Sequence, residues 1–349
     1  MRSFGLWYKR NEKEKDAPVF SIHINFWSEE VKKENCVPAL DIGIKIIHFR
    51  SANEVIFQCP FVVTNDEVTD LVTKLHRIEN ANIVFNTDGN VQAKESYSVF
   101  SFVKKNVKES LLLFPLHQPI DGIYTLRQVS DKTEIAFDFS KFNEYLKQRK
   151  EFDDINEVYI RFRVATSEMK NNIYFDSEPS NRSFESAFSG TRIFDFKVNE
   201  KRNLGSKTVS NMILNKYEFA QIDCIHLLVM EPSSYDVEAF ASTQMTCREL
   251  EGDLWSDYLD SNINTSKGRI LAYHWKFGNE FSCLIKVKYS KTNFKTLLGY
   301  ILIVLGLGIF GSTIVAIIQE LLCTWNFLWL SAGLSIVLFL MGLMLGRDK

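Results

Sequence analysis

Arg161 and Arg163 stand two apart in Glu157–Ala165, a segment whose alternation reads as a strand. Val158, Ile160, Phe162 and Val164 fall on one face, and Tyr159, Arg161 and Arg163 on the other. Downstream, Arg192 and Arg202 follow a polar stretch, with Lys197, Lys201 and Lys207 nearby. A planar guanidinium fork suits phosphate, so Arg161, Arg163, Arg192 and Arg202 could line a pocket for a nucleotide-like anion. The competing reading is surface strand charge balanced by acidic residues across the sheet.

Other chemistry-bearing residues give less. Glu249, Asp253 and Asp257 recur every four residues, and on one helix such a row could hold a divalent cation, meet a basic partner or form a solvated face. His274, between Tyr273 and Trp275, could titrate near neutral pH or be packed. Cys224 and His226 would share a strand face without further ligands. A membrane-bound enzyme would draw on Glu249, Asp253 or His274, but no GxSxG, HExxH or GxxxxGK[ST] occurs. The residues thus indicate no catalytic group, metal site or cofactor. Gly306-Leu307-Gly308-Ile309-Phe310-Gly311 matches the dinucleotide fingerprint, yet it lies inside an apolar run instead of after a strand.

That apolar run dominates the C-terminal part. Between Thr296 and Gly346 the only ionised side chain is Glu320. Thr296–Ile318 and Trp325–Leu345 each reach the roughly 20 residues that cross a hydrocarbon core. Gln319–Thr324 is too short to be a domain, so the pair reads as a transmembrane hairpin over 296–345. Lys286, Lys288, Lys291 and Lys295 precede it, and Arg347 and Lys349 follow. The positive-inside rule then puts the N-terminal domain and the C-terminus in the cytoplasm, with a bacterial inner membrane as the bilayer. Trp325 and Trp329 suit the outer interface, and Met1–Asp16 lacks the apolar stretch of a signal peptide. The sequons at Asn181 and Asn264 would matter only in a lumenal domain. Gly308, Ser312 and Ala316, with Ser331, Ser335, Gly342 and Gly346, repeat small residues every four positions, a spacing that lets helices pack closely. They could serve the hairpin itself or a homo-oligomer.

Ahead of the hairpin the signals are mostly β. Val19–Trp27, Ile42–Phe49, Glu54–Val63, Asn82–Asn86, Tyr97–Val103 and Ser110–Leu116 read as strands, as do Gly122–Gln128, Thr133–Phe139, Thr191–Val198, Gln221–Glu231, Arg269–Phe277 and Phe281–Tyr289. Gly278-Asn279 reads as the turn between the last two. Helices are expected at Asp66–Ile78, opened by Thr64 and Glu67 in capping-box spacing, at Lys141–Arg149 and at Thr246–Leu259. The fold class is therefore mainly β, an antiparallel sandwich or barrel with some α elements, plus the hairpin. The polar stretch 167–189 is a linker or a long loop. It separates a β-rich domain at 1–166 from a second β-rich segment at 190–290, unless both belong to one domain. Only Ser290–Lys295 join the last strand to the first span, so movement of that strand would reach the membrane.

A net charge of −2 speaks against a general nucleic-acid binder. Cys36, Cys59, Cys224, Cys247, Cys283 and Cys323 form no CxxC pair, and a cytoplasmic location makes them reduced thiols. With its two spans and their basic flanks, the chain resembles the membrane effectors of bacterial antiphage defence systems. That resemblance implies a cytoplasmic sensing domain that binds a nucleotide second messenger or a partner protein, then perturbs the bilayer by oligomerising. A passive scaffold tethering a partner at the membrane is the alternative.

Overall fold

Extended segments like Glu157–Ala165 recur along the chain up to Ser290 in the computed structural model. It describes residues 2–32, 37–87, 89–94, 97–104, 107–117, 120–177, 188–240, 245–278, 281–290, 294–320 and 328–347. The strands are β1 (Gly5–Arg10), β2 (Val19–Trp27), β3 (Ala39–Ile47), β4 (Ala52–Cys59), β5 (Val68–Asp70), β6 (Gly89–Lys94), β7 (Tyr97–Lys104), β8 (Val107–Phe114), β9 (Tyr124–Val129) and β10 (Lys132–Asp138). There follow β11 (Glu157–Ala165), β12 (Tyr174–Ser177), β13 (Ser189–Val198), β14 (Tyr217–Phe219), β15 (Gln221–Pro232), β16 (Asp236–Phe240), β17 (Thr246–Glu249), β18 (Ile270–Phe277) and β19 (Phe281–Ser290). The helices are α1 (Ile78–Phe85), α2 (Phe139–Lys147), α3 (Lys201–Leu204), α4 (Ser206–Leu214), α5 (Gly252–Leu259), α6 (Phe294–Glu320) and α7 (Leu328–Arg347).

By their contacts the residues form two compact units, Met1–Phe175 with Ile193–Lys286, and Asp176–Arg192 with Val287–Lys349. In the first unit, the main sheet has the order β17-β18-β15-β2-β3-β11-β8-β7-β6, with β5 also on β11. Segments from both sides of the polar stretch 167–189 therefore build one sheet. The pairing is mixed, because β15 runs parallel to β2 and β11 parallel to β8. The mainly β class expected from the sequence holds, and the two parallel pairings join partners far apart in sequence, where a long crossover permits them. A second, five-stranded sheet, β14-β1-β4-β10-β9, packs on the main one through Phe57 and Phe137, whose rings lie 6.0 and 5.8 Å from that of Phe162. The other face of the main sheet carries α1 and α5, so β11 is buried on both sides.

Two expected helices give way to pairing. Val68–Asp70 forms β5 against Val164, Arg163 and Phe162, and the helix begins only at Ile78. Leu71, Val72 and Leu75 are buried as a helix there would have buried them, and the Thr64 N–H donates to Glu67 Oε2 at 2.9 Å. The ladder contacts of β5 outweigh local propensity. Asn82–Asn86, read as a strand, lies largely within α1. Likewise Thr246–Glu249 pairs with β18 as β17, leaving Gly252–Leu259 as helix. Residue 279 of the expected turn, Cys36, Cys323, the sequon at Asn181 and Trp325 lie outside the described residues.

In the second unit, Leu297–Ile317 within α6 is long and apolar enough to cross a membrane. Its 21 residues rise about 30 Å, the thickness of a hydrocarbon core. Val304, Leu305 and Leu307 are each more than half exposed along it. The apolar stretch of α7 is shorter, Ala332–Met344. Glycine sets the contact between these helices. A Cβ on Gly342 would stand 2.8 Å from the Gly299 carbonyl, and one on Gly306 3.0 Å from the Phe339 nitrogen. Gly308, by contrast, has nothing within 4 Å among the described residues.

Candidate ligand-binding cleft

Register across the main sheet brings distant polar residues together. His226 on β15 stands beside His23 on β2, His23 opposite Gly43 on β3, and Gly43 opposite Arg161 on β11. His274 on β18 lies diagonal to His226 and opposite Thr246 on β17. Above this row sit Ile83, Val84 and Phe85 of α1, Asn86, which ends that helix in the left-handed region (φ 49°), and Trp255 of α5. Between helices and sheet lies a cleft of about 510 Å³, within the range of small-molecule sites.

Hydrogen bonds run along its floor. The Thr246 hydroxyl lies 3.4 Å from His274 Nδ1, and His274 Nε2 lies 2.9 Å from His226 Nδ1, with the two rings nearly parallel. His226 Nε2 meets the Cys224 sulfur at 3.3 Å, and its ring packs edge-on against His23 at 5.0 Å. Arg161 Nη1 donates to the Tyr159 hydroxyl at 2.8 Å, and that oxygen lies 3.1 Å from His23 Nδ1. Arg161 Nε donates to the Tyr258 hydroxyl at 2.6 Å, which in turn donates to Asp41 Oδ2 at 3.0 Å. Asp41 also accepts from Trp27 Nε1 at 2.8 Å and from Arg163 Nε and Nη2 at 2.6 and 2.9 Å.

Environment sets the charges. Burial, reinforced by the charges of His226 and Arg161, takes His23 well below its ordinary range. Burial with His274 and Lys276 brings His226 down to about 4, and burial with Arg248 and Lys276 lowers His274. At neutral pH the three rings are uncharged, and the near-neutral titration expected of His274 gives way to this depression. Burial alone would lower Arg161, but Tyr159, Tyr258 and Asp41 outweigh it and hold the guanidinium protonated. For Asp41 burial would raise the carboxyl, yet Arg163 and its hydrogen bonds hold it below the usual range. Among the described residues no group of three or more His, Cys, Asp or Glu side chains is placed to hold a metal ion.

Of the four arginines expected to meet an anion, only Arg161 lines the cleft. Arg163 is its buried neighbour, paired with the acid directly opposite on β3. Arg192 pairs with Asp176 at 3.1 Å in the other unit, and exposed Arg202 with Glu200 at 2.9 Å. Glu249 on a strand pairs with Arg269, and Asp257 on a helix with Arg77, so the acidic row does not form on one helix. The side chain of Asp253 lies outside the described residues. The sequence pointed to no site role for His23, Trp255, Tyr258 or Asp41, and placed His226 only on a strand face with Cys224, which the structure bears out. A signal existed for β2, where Ser21, His23 and Asn25 alternate with Phe20, Ile22 and Ile24.

No protein-family model matches the chain, and no curated protein matches it. Among solved structures it is similar to the Fcho1 Mu homology domain of Danio rerio with bound Eps15 peptide, at 10% identity over 79% of this chain and 80% of that one. The TM-score is 0.16.

Proposed function

We propose that this chain is a membrane-anchored sensor and effector: its β-rich unit binds a small ligand on the cytoplasmic side, and occupancy controls association of the C-terminal helical hairpin in an inner membrane. The observation that carries the reading is the formed cleft, floored by the polar row His274, His226, His23 and Arg161. Its pairing with a helix long enough to cross a bilayer supports a role at the membrane. The unfilled space beside Gly308 supports a face on which Gly308, Ser312 and Ala316 of another copy could pack. Gly342 instead serves the contact within the hairpin, and Gly346 follows one turn later on the same helix. The resemblance to antiphage membrane effectors fits this arrangement of parts.

The experiment is expression of the full chain in bacterial cells with a membrane-impermeant dye outside. Dye entry is expected from the full chain and not after deletion of 296–345. Thr246→Trp, which fills the exposed rim of the cleft, should change the amount of entry. A passive scaffold would instead relocate a partner protein and give no dye entry from any variant.

A further inference from the structure

We propose that the cleft over Arg161 binds a phosphate oxyanion, a phosphate monoester carried on a small organic body. This rests on the ligand-responsive reading and supplies the ligand's chemistry. Two buried guanidiniums, Arg161 and Arg163, face one buried carboxylate, Asp41. The two oxygens of Asp41 already accept from Trp27, Tyr258 and both arms of Arg163. Arg161 therefore donates only to the neutral phenols Tyr159 and Tyr258, and its Nη2 has no partner among the described residues.

A buried donor left unmet is unfavourable, more so on a charged group. Trp255 Nε1, 2% exposed on the opposite wall, is a second such donor. Asn25 lines the same space and is 5% exposed. Among the described side chains no aspartate or glutamate lines the cleft, while Arg248 adds a second cation at its rim. The surplus is thus of positive charge and of N–H groups. Oxygens bearing negative charge satisfy both, and a fork of guanidinium nitrogens suits their geometry. Ile83, Val84 and Phe85 give the organic body an apolar wall.

The test uses the full-length chain in detergent, with melting temperature and titration as readouts and inorganic phosphate, AMP and adenosine as probes. Phosphate or AMP is expected to raise the melting temperature, and adenosine at the same concentration is not. Arg161→Lys keeps the charge but loses the fork, and should weaken binding of the stabilising anion about tenfold or more. Arg248→Ala alters an exposed residue, so it reports even if Arg161→Lys fails to fold; it should weaken the same binding and flatten its salt dependence. The proposal is overturned if neither phosphate nor AMP stabilises the chain, if adenosine matches AMP, or if folded variants bind as the parent does. Should dye entry still respond to Thr246→Trp under any of these outcomes, the ligand-responsive reading stands and the oxyanion assignment alone falls. Should AMP bind while dye entry ignores Thr246→Trp, the site stands and the effector reading falls.

Discussion

Gly43 and Tyr159 occupy neighbouring strands so closely that a Cβ on Gly43 would overlap the tyrosine hydroxyl. The missing side chain lets the Tyr159 ring lie over β3, where its oxygen meets both Arg161 and His23. Gly43→Ala should displace that ring and destabilise the β-rich unit by about 1–3 kcal/mol, the usual result of overpacking a full core. Calorimetry of the full chain in detergent would read the loss. An unchanged melting temperature would show that the ring can move aside freely.

Asp41 holds four hydrogen bonds at the centre of the same network. Asp41→Asn keeps the shape but removes the carboxylate paired with buried Arg163, and should cost about 3–5 kcal/mol. Replacing Asp41 and Arg163 together with apolar residues should cost less than the single change, since Arg163 is then no longer stranded and Arg161 alone stays buried and charged. A double-mutant cycle on melting temperature checks the order of these values.

The depressed histidines predict an acid dependence with a definite sign. With folded values of His23, His226 and His274 below the ordinary 6.5, the unfolded chain binds protons that the folded chain rejects. Their contribution is complete above about pH 6.5. It should fade as pH falls towards 4, the value for His226. Asp41, held below the usual carboxylate range, loses its contribution only at still lower pH. A melting series from pH 8 to pH 4 should therefore slope downward below neutrality, and His226→Gln should make the slope shallower. A flat series would contradict the burial of these rings.

Two glycines in the hairpin should behave oppositely. Gly342→Leu forces a side chain into the Gly299 carbonyl and the Ile303 backbone and should break the packing of α6 on α7. Gly308→Leu meets open space, so the hairpin should survive while association between copies weakens. Cysteine crosslinking within and between chains separates the two effects. Loss of intrachain crosslinks in Gly308→Leu would show that this face belongs to the hairpin.

Strands were legible wherever a segment had its own alternation. Val19–Trp27 and Glu157–Ala165 match the structure end to end, and Phe139–Lys147 lies close to the expected Lys141–Arg149. Two of the failures, at Val68–Asp70 and Thr246–Glu249, are short edge pairings whose stability comes from a partner strand and not from local sequence. The cleft was legible only in part. Arg161 and His274 carried a signal of their own, whereas His23 and His226 lie about 200 positions apart and become neighbours only through the parallel β2–β15 pairing.

By itself the sequence determined the mainly β character of the N-terminal part and the apolar C-terminal helix, since alternation and unbroken hydrophobicity are local properties of the chain. It also determined that Tyr159, Arg161 and Arg163 share a strand face. Only the tertiary structure decided that this face is buried: α1 and α5 cover it, placing Tyr258 and Trp255 over the arginines. Whether a charge meets water or a fixed partner depends on what packs against it, and long-range packing leaves no periodic trace in the residues it joins.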